Sequence, residues 1–263
     1  MKKHIDVKRV MTWTVAAAGT LLAGAALATP INLSSGETNL QQILNGITCQ
    51  PGPSSGCVLG GPSSINVQTD QAQVDQQWAL GGTGGAFSQI IIEIAGNAQY
   101  NRFGIYDVFN PLNRVEMFAG SAGAGAQAFL SMDDTGHVYR NFIATGTTFR
   151  GNQFGFYLDT GSSVWYSQLG LNSDQSDHMV AYEGTGDRVK LPNSMPGFWL
   201  ENEWVFAWED LPAANWDYDY NDFVVMVESV TGVPEPATLA LLGLGLVGIG
   251  FSMRRRKAAP VSQ

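Results

Sequence analysis

Apolar and polar residues alternate in short runs along most of this chain, and the length of the runs identifies the elements. From residue 89 onward, runs of about five to eight residues rich in Val, Ile, Phe, Tyr and Trp are separated by clusters of Gly, Asn, Asp and Ser. The pattern predicts strands over 89–95, 104–109, 114–119, 127–131, 138–143, 155–159, 164–169, 178–183, 204–209 and 223–230. The stretches Asp133-Asp-Thr-Gly136 and Asp159-Thr-Gly-Ser-Ser163 have the composition of hairpin turns. One segment of the central region, 37–47, has a helical period. Leu40, Ile43, Leu44 and Ile47 share a face there, with Thr38 as the expected cap. Short strands without intervening helices predict an all-β domain, an antiparallel β-sandwich or jelly roll with one short N-terminal helix. The Ala/Gly-rich stretch 119–128 reads as a loop.

Both ends break this pattern. Residues 1–9 carry Lys2, Lys3, Lys8 and Arg9, and an apolar stretch follows over 10–27. Ala26-Leu27-Ala28 is a small-x-small cleavage site, so 1–28 reads as a Sec-type signal peptide cut after Ala28. At the other end, Val233-Pro234-Glu235-Pro236 precedes an uncharged run, 237–253, and then Arg254, Arg255, Arg256 and Lys257. As a helix the run would reach roughly 25 Å, enough to cross a hydrocarbon core. The cations favour the cytoplasmic side, and the two prolines stop any preceding strand. The expected division is 1–28 signal peptide, 29–65 helix and cysteine loop, 66–231 β-sandwich and 233–257 sorting segment.

Trimming the ends changes the charge. The whole chain has 14 basic and 23 acidic residues. The two ends hold eight of the basic and two of the acidic ones, so the part between carries six against 21, a net charge of −15. A surface this acidic repels nucleic acid, which is bound through Lys and Arg clusters. Divalent cations and neutral glycans are compatible partners. The two cysteines, Cys49 and Cys57, flank a Pro/Gly/Ser loop. In an exported chain they form a disulfide by default, stabilising by about 2–3 kcal/mol.

The densest chemistry lies between two strands. Trp204, Phe206 and Trp208 alternate on one face. Glu209, Asp210, Asp217, Asp219, Asn221 and Asp222 follow within one loop, ahead of the strand 223–230. Carboxylates so crowded repel one another unless a cation or hydrogen-bond donors compensate, and hard oxygen ligands suit Ca²⁺. The other reading is mechanical, because Asp and Asn also brace turns by bonding to nearby amides. An EF-hand register on Asp217, Asp219, Asn221 and Glu228 fails. Asp222 replaces the required glycine, and Glu228 would stand roughly 20 Å along a strand from the loop.

His178, beside Asp174 and Asp177, is expected to be a structural hydrogen-bonding residue, since the chain has no G-x-S-x-G elbow. Trp165, Trp199, Trp208, Trp216 and Tyr218 are either core or a sugar-stacking platform. A non-enzymatic protein is the expected class. The alternative is a secreted polysaccharide hydrolase using two carboxylates about 5–10 Å apart, and no residue pattern selects such a pair.

Two resemblances add to this. Pro234-Glu235-Pro236, the apolar segment and Arg254–Arg256 resemble the PEP-CTERM sorting signal of Gram-negative bacteria. That resemblance implies transient tethering in the inner membrane, processing by exosortase, and delivery to the cell surface or extracellular matrix. It also implies association with exopolysaccharide and biofilm. Glu209-Asp210-Leu211 and Asp217-Tyr218-Asp219-Tyr220-Asn221-Asp222-Phe223, with 176–182 upstream, resemble domain of unknown function 4114 over 151–230. This second family implies an extracellular β fold and a candidate loop, with no established activity.

Overall fold

A computed structural model describes residues 29–51, 56–81, 84–93 and 99–234. The sorting residues Glu235, Pro236, Arg254, Arg255 and Arg256, and the signal segment 1–28, lie outside these. Among the described residues no helix is long and apolar enough to cross a membrane.

Among the described residues, one α-helix, α1 (Leu40–Ile47), precedes fifteen strands. These are β1 (Trp78–Leu80), β2 (Gly85–Glu93), β3 (Arg102–Asp107), β4 (Asn110–Phe118), β5 (Gln127–Met132), β6 (His137–Arg140), β7 (Ile143–Thr148) and β8 (Gln153–Asp159). The remainder are β9 (Val164–Tyr166), β10 (Met179–Glu183), β11 (Asp187–Val189), β12 (Gly197–Trp199), β13 (Glu203–Trp208), β14 (Phe223–Glu228) and β15 (Val230–Gly232). All the pairings are antiparallel. One sheet runs β15-β1-β8-β3-β4, with β9 on β8; the other runs β10-β13-β14-β2-β5-β6-β7. A small β11-β12 ribbon stands apart.

The two sheets face each other across an aromatic core. Trp78 sits at its centre, edge-on to Phe156 at 5.0 Å and to Phe206 at 4.8 Å. Phe103 stacks on Phe156 at 5.4 Å and on Phe223 at 5.3 Å. Such pairs add about 0.5–1.5 kcal/mol each beyond the area they bury. The outer face of β10, β13 and β14 is covered as well. Val180, Tyr182, Val205, Ala207, Val224 and Met226 form a second core with Leu40, Ile43, Leu44 and Ile47 of the helix. The predicted apolar helical face is therefore the cover of a third layer, and β13 and β14 are buried on both sides.

The strand pattern departs from the expected one where chains are short or bent. The helix starts later than predicted, and its cap is Asn39 rather than Thr38. The Asn39 side chain accepts from Gln42 N–H at 3.0 Å, and the Gln42 side chain accepts from Asn39 N–H at 3.1 Å, a reciprocal capping box. The expected strand 138–143 is two strands, β6 and β7, because Asn141 and Phe142 turn through left-handed backbone. The strand 164–169 stops at Tyr166 and gives way to a 3-10 turn over Leu169–Leu171. The strand 223–230 breaks at Ser229, whose φ is 63°, and resumes as β15 in the other sheet. The three-residue strands β1, β11, β12 and β15 carry too little periodicity to be read from sequence. Cys49 and Cys57 are joined, with Cα atoms 5.0 Å apart.

Candidate metal centre in the 209–222 loop

The hairpin of β13 and β14 carries the site. Trp208 pairs with Phe223 at its loop end, and Glu209 follows directly. Two solid cores grip the stem, so the loop leaves it in a fixed direction. The Glu209 N–H donates to the His178 carbonyl at 3.0 Å, which keeps its side chain turned inward.

Three carboxylates converge. Oxygens of Glu209, Asp217 and Asp219 lie within 4.8 Å of one another. Glu209 is 1% exposed and Asp219 0%, while Asp217 reaches the surface. The Tyr220 N–H donates to Glu209 Oε1 at 3.0 Å. Asn221 donates to Asp219 from its backbone at 3.2 Å and from Nδ2 at 2.8 Å. These donors leave the repulsion unrelieved. Burial, reinforced by the charges of Asp217 and Asp219, pushes Glu209 up to about 7. Burial and Asp217 push Asp219 in the same direction. Three carboxylates offer about six hard oxygens, a set that fits Ca²⁺ and not the softer metals that prefer thiolate or imidazole.

The backbone that brings them together is held against its own preference. Tyr218 and Tyr220, on either side of Asp219, are left-handed with φ of 65° and 53°. Residues with a Cβ rarely adopt that region, at about 1–3 kcal/mol each. Distant partners hold them there. Asn32 donates from its N–H to the Tyr218 carbonyl at 2.6 Å and from Nδ2 to the Asp217 carbonyl at 2.9 Å. The Tyr220 hydroxyl donates to the Asp177 carbonyl at 2.6 Å. Asn221 Nδ2 also donates to the Thr38 carbonyl at 2.9 Å.

The other acidic residues of the loop serve its corner. Asp210 Oδ2 accepts from Asn101 Nδ2 at 3.0 Å, and the Asp210 carbonyl accepts from the Trp165 indole at 2.8 Å. Asp222 Oδ2 accepts from the Asp210 N–H at 3.0 Å. Burial, with Asp210 and Glu209 nearby, raises Asp222. Glu228, the residue an EF-hand would need, ends β14 opposite Glu203 at the far end of the hairpin.

His178 is fully buried beneath the loop. Its ring stacks on Trp165 at 3.6 Å and meets the edge of Trp216 at 4.6 Å. Nδ1 faces the Glu209 carbonyl at 3.1 Å, and Nε2 faces the Asp174 carboxylate at 3.1 and 3.2 Å. Burial lowers His178 against both of these acceptors. Burial also works on Asp174, but bonds from the Ala213 N–H, His178 and the Ser176 N–H outweigh it and hold the carboxyl low. Both ring nitrogens thus face acceptors where the start of β10 meets the loop. Trp165, Trp199 and Trp208 are core residues; of the five aromatics considered for sugar stacking, only Trp216 and Tyr218 reach the surface.

The loop, its hairpin stem and every strand of the seven-stranded sheet except β2 fall within one block of sequence. Residues 121–230 match Domain of unknown function (DUF4114). The DUF4114 match starts just ahead of β5, thirty residues before the 151–230 resemblance read from the motif, and takes in both hairpin strands. Residues 232–257 match the PEP-CTERM protein-sorting motif. The chain is therefore an exported protein addressed to exosortase, with transient membrane anchoring. No curated protein and no solved structure matches it. Sequence reading missed Asn32, Asn101, Asp177 and Tyr220 as supports of the loop. Asn101 meets Asp210 across 109 positions and Asn32 meets Asp217 across 185, separations at which no local pattern exists.

Proposed function

We propose that the chain is a non-enzymatic β protein of the cell surface or extracellular matrix whose DUF4114 loop takes Ca²⁺. The protein crosses the inner membrane by the Sec route and loses its tail to exosortase. It then works beside exopolysaccharide in the biofilm matrix, as the sorting motif suggests. The observation that carries the metal reading is the convergence of Glu209, Asp217 and Asp219 oxygens within 4.8 Å, two of the three being buried. Support for a non-enzymatic role comes from His178, which is sealed and engaged at both nitrogens.

Ca²⁺ at Glu209, Asp217 and Asp219 would pin the two strained tyrosines and stiffen an exposed end of the sandwich outside the cell, where the ion is plentiful. Thermal melts of the exported protein with Ca²⁺ and with EDTA test this. The expected result is a higher melting temperature with Ca²⁺ that disappears in the Asp217→Ala, Asp219→Ala double variant. Equal melts with and without the ion would overturn the metal reading.

A further inference from the structure

We propose that Gln71 and Asp177 form a receiving site for the α-ammonium that removal of the export signal creates at Thr29. The inference rests on the reading that the signal is cut after Ala28. That step is a hydrolysis by the export peptidase: water adds across the Ala28–Thr29 peptide bond, Ala28 leaves as a carboxylate, and the Thr29 nitrogen takes up protons to become an ammonium.

The geometry is already set for that group. The Thr29 nitrogen donates to Gln71 Oε1 at 2.7 Å, and Gln71 Nε2 donates back to the Thr29 carbonyl at 2.7 Å. Gln71 is fixed in turn by a bond from Nε2 to the Val67 carbonyl at 3.2 Å. The Thr29 hydroxyl donates to Asp177 Oδ2 at 3.2 Å, so one residue spans the gap between the nitrogen and the carboxylate. Among the described residues no Lys, Arg or His forms an ion pair with Asp177, since neighbouring His178 is turned to Asp174. Burial pushes Asp177 up to about 6, as expected of a carboxylate that lacks a positive partner. In the uncut chain the Thr29 nitrogen is a neutral amide. Cutting supplies a positive charge on the nitrogen that already donates to Gln71, one side chain away from the Asp177 carboxylate.

The consequence reaches the acidic loop. Three residues after Thr29, Asn32 holds the carbonyls of Asp217 and Tyr218, and Ile31 between them is buried. The Asp177 carbonyl accepts the Tyr220 hydroxyl. A terminus locked on Asp177 therefore fixes both sides of the strained segment around Asp219, so signal removal would finish the loop as well as free the chain.

The test compares two exported proteins, the native chain and one with a serine inserted between Ala28 and Thr29, so that Thr29 keeps an amide after cutting. Each is made with Asp177 and with Asp177→Asn, which removes the charge and keeps an acceptor for the Thr29 hydroxyl. Mass spectrometry fixes where each mature chain begins. The insertion is expected to lower the melting temperature by about 2–4 °C with Asp177 and to have little effect in the Asp177→Asn background. As a second readout that needs no substitution at 177, the native amine should be acetylated several-fold more slowly than the serine amine. A native chain that begins elsewhere overturns the cleavage reading and the proposal with it. A native chain that begins at Thr29, yet melts and reacts like the extended one, overturns the proposal alone.

Discussion

The β13–β14 hairpin gathers carboxylates at both ends, and the two ends behave differently. At the far end, Glu203 and Glu228 lie directly opposite each other, with Glu183 on the next strand. There the turn supplies donors: the Leu200 N–H bonds to Glu203 Oε2 at 2.7 Å, and the Asn202 N–H bonds to Glu183 Oε1 at 2.9 Å. Burial, and then Glu203, raises Glu228, but these three do not converge. At the loop end, Glu209, Asp217 and Asp219 point at a common volume, and two of them are out of water. Acidic residues cluster at both ends. Convergence under burial is what distinguishes a candidate cation site from a charged turn.

The stem that separates the two ends is the strongest test of this contrast. Trp208 is fully buried, edge-on to Phe103 at 6.1 Å, and it precedes Glu209. Trp208→Ala is expected to cost about 3–5 kcal/mol in urea unfolding, as large aromatic deletions in cores do. It should abolish any Ca²⁺ response, because the loop loses its base. Next in size is the ion itself. At a hundredfold excess over its dissociation constant, Ca²⁺ should stabilise the protein by about 2.7 kcal/mol. Glu203→Gln at the far end should leave that gain intact, whereas Asp219→Ala should remove it. Equal losses from both substitutions would mean that the two ends do not differ.

How much of this was legible in the sequence follows from the range of the interactions. The β class, the single helix and the alternating Trp204, Phe206 and Trp208 are set by neighbours within a few residues, and the pattern shows them. The loop also announced itself, since five acidic residues and Asn221 fall between 209 and 222. Their sorting into a converging three and a bracing remainder did not. That sorting depends on left-handed backbone at Tyr218 and Tyr220 and on contacts from Asn32, Thr38 and Asn101, all supplied by remote parts of the chain. The helix face was visible, but not that it covers the outer side of β13 and β14.

Proton binding sharpens the same contrast at a smaller scale. Glu209 titrates near 7 when folded, above its ordinary value of 4.5, so between those values the folded protein holds more protons than the unfolded chain. Metal-free stability should therefore fall as the pH rises from about 5 to about 7, by on the order of 2 kcal/mol. Asp177 and Asp222, both raised by burial, act with the same sign, and His178, lowered by burial, opposes them over part of this range. Saturating Ca²⁺ should flatten the profile by favouring the charged forms. Denaturant midpoints measured across this range, with and without the ion, check it. A metal-free protein that gains stability toward pH 7 would mean that the loop carboxylates are not crowded in solution.

The smallest expected effect is also the most local. Asn39 caps the helix through Gln42 and donates from Nδ2 to the Leu33 carbonyl at 3.0 Å, which ties the segment after Asn32 to the helix start. The neighbouring Thr38 carbonyl holds Asn221. Asn39→Ala should cost about 1 kcal/mol overall, the usual loss for a cap. Its effect on local opening should be unequal. The Tyr220 and Asn221 amides, bonded to the carboxylates of Glu209 and Asp219, should exchange faster with solvent deuterium, because the cap steadies the preceding segment and the helix end that brace them. The Leu200 and Asn202 amides at the far end have no link to the cap and should keep their native rates. Acceleration at both ends alike would show that the loop opens only with the whole domain, and its strained backbone would then be no separate element for an ion to lock.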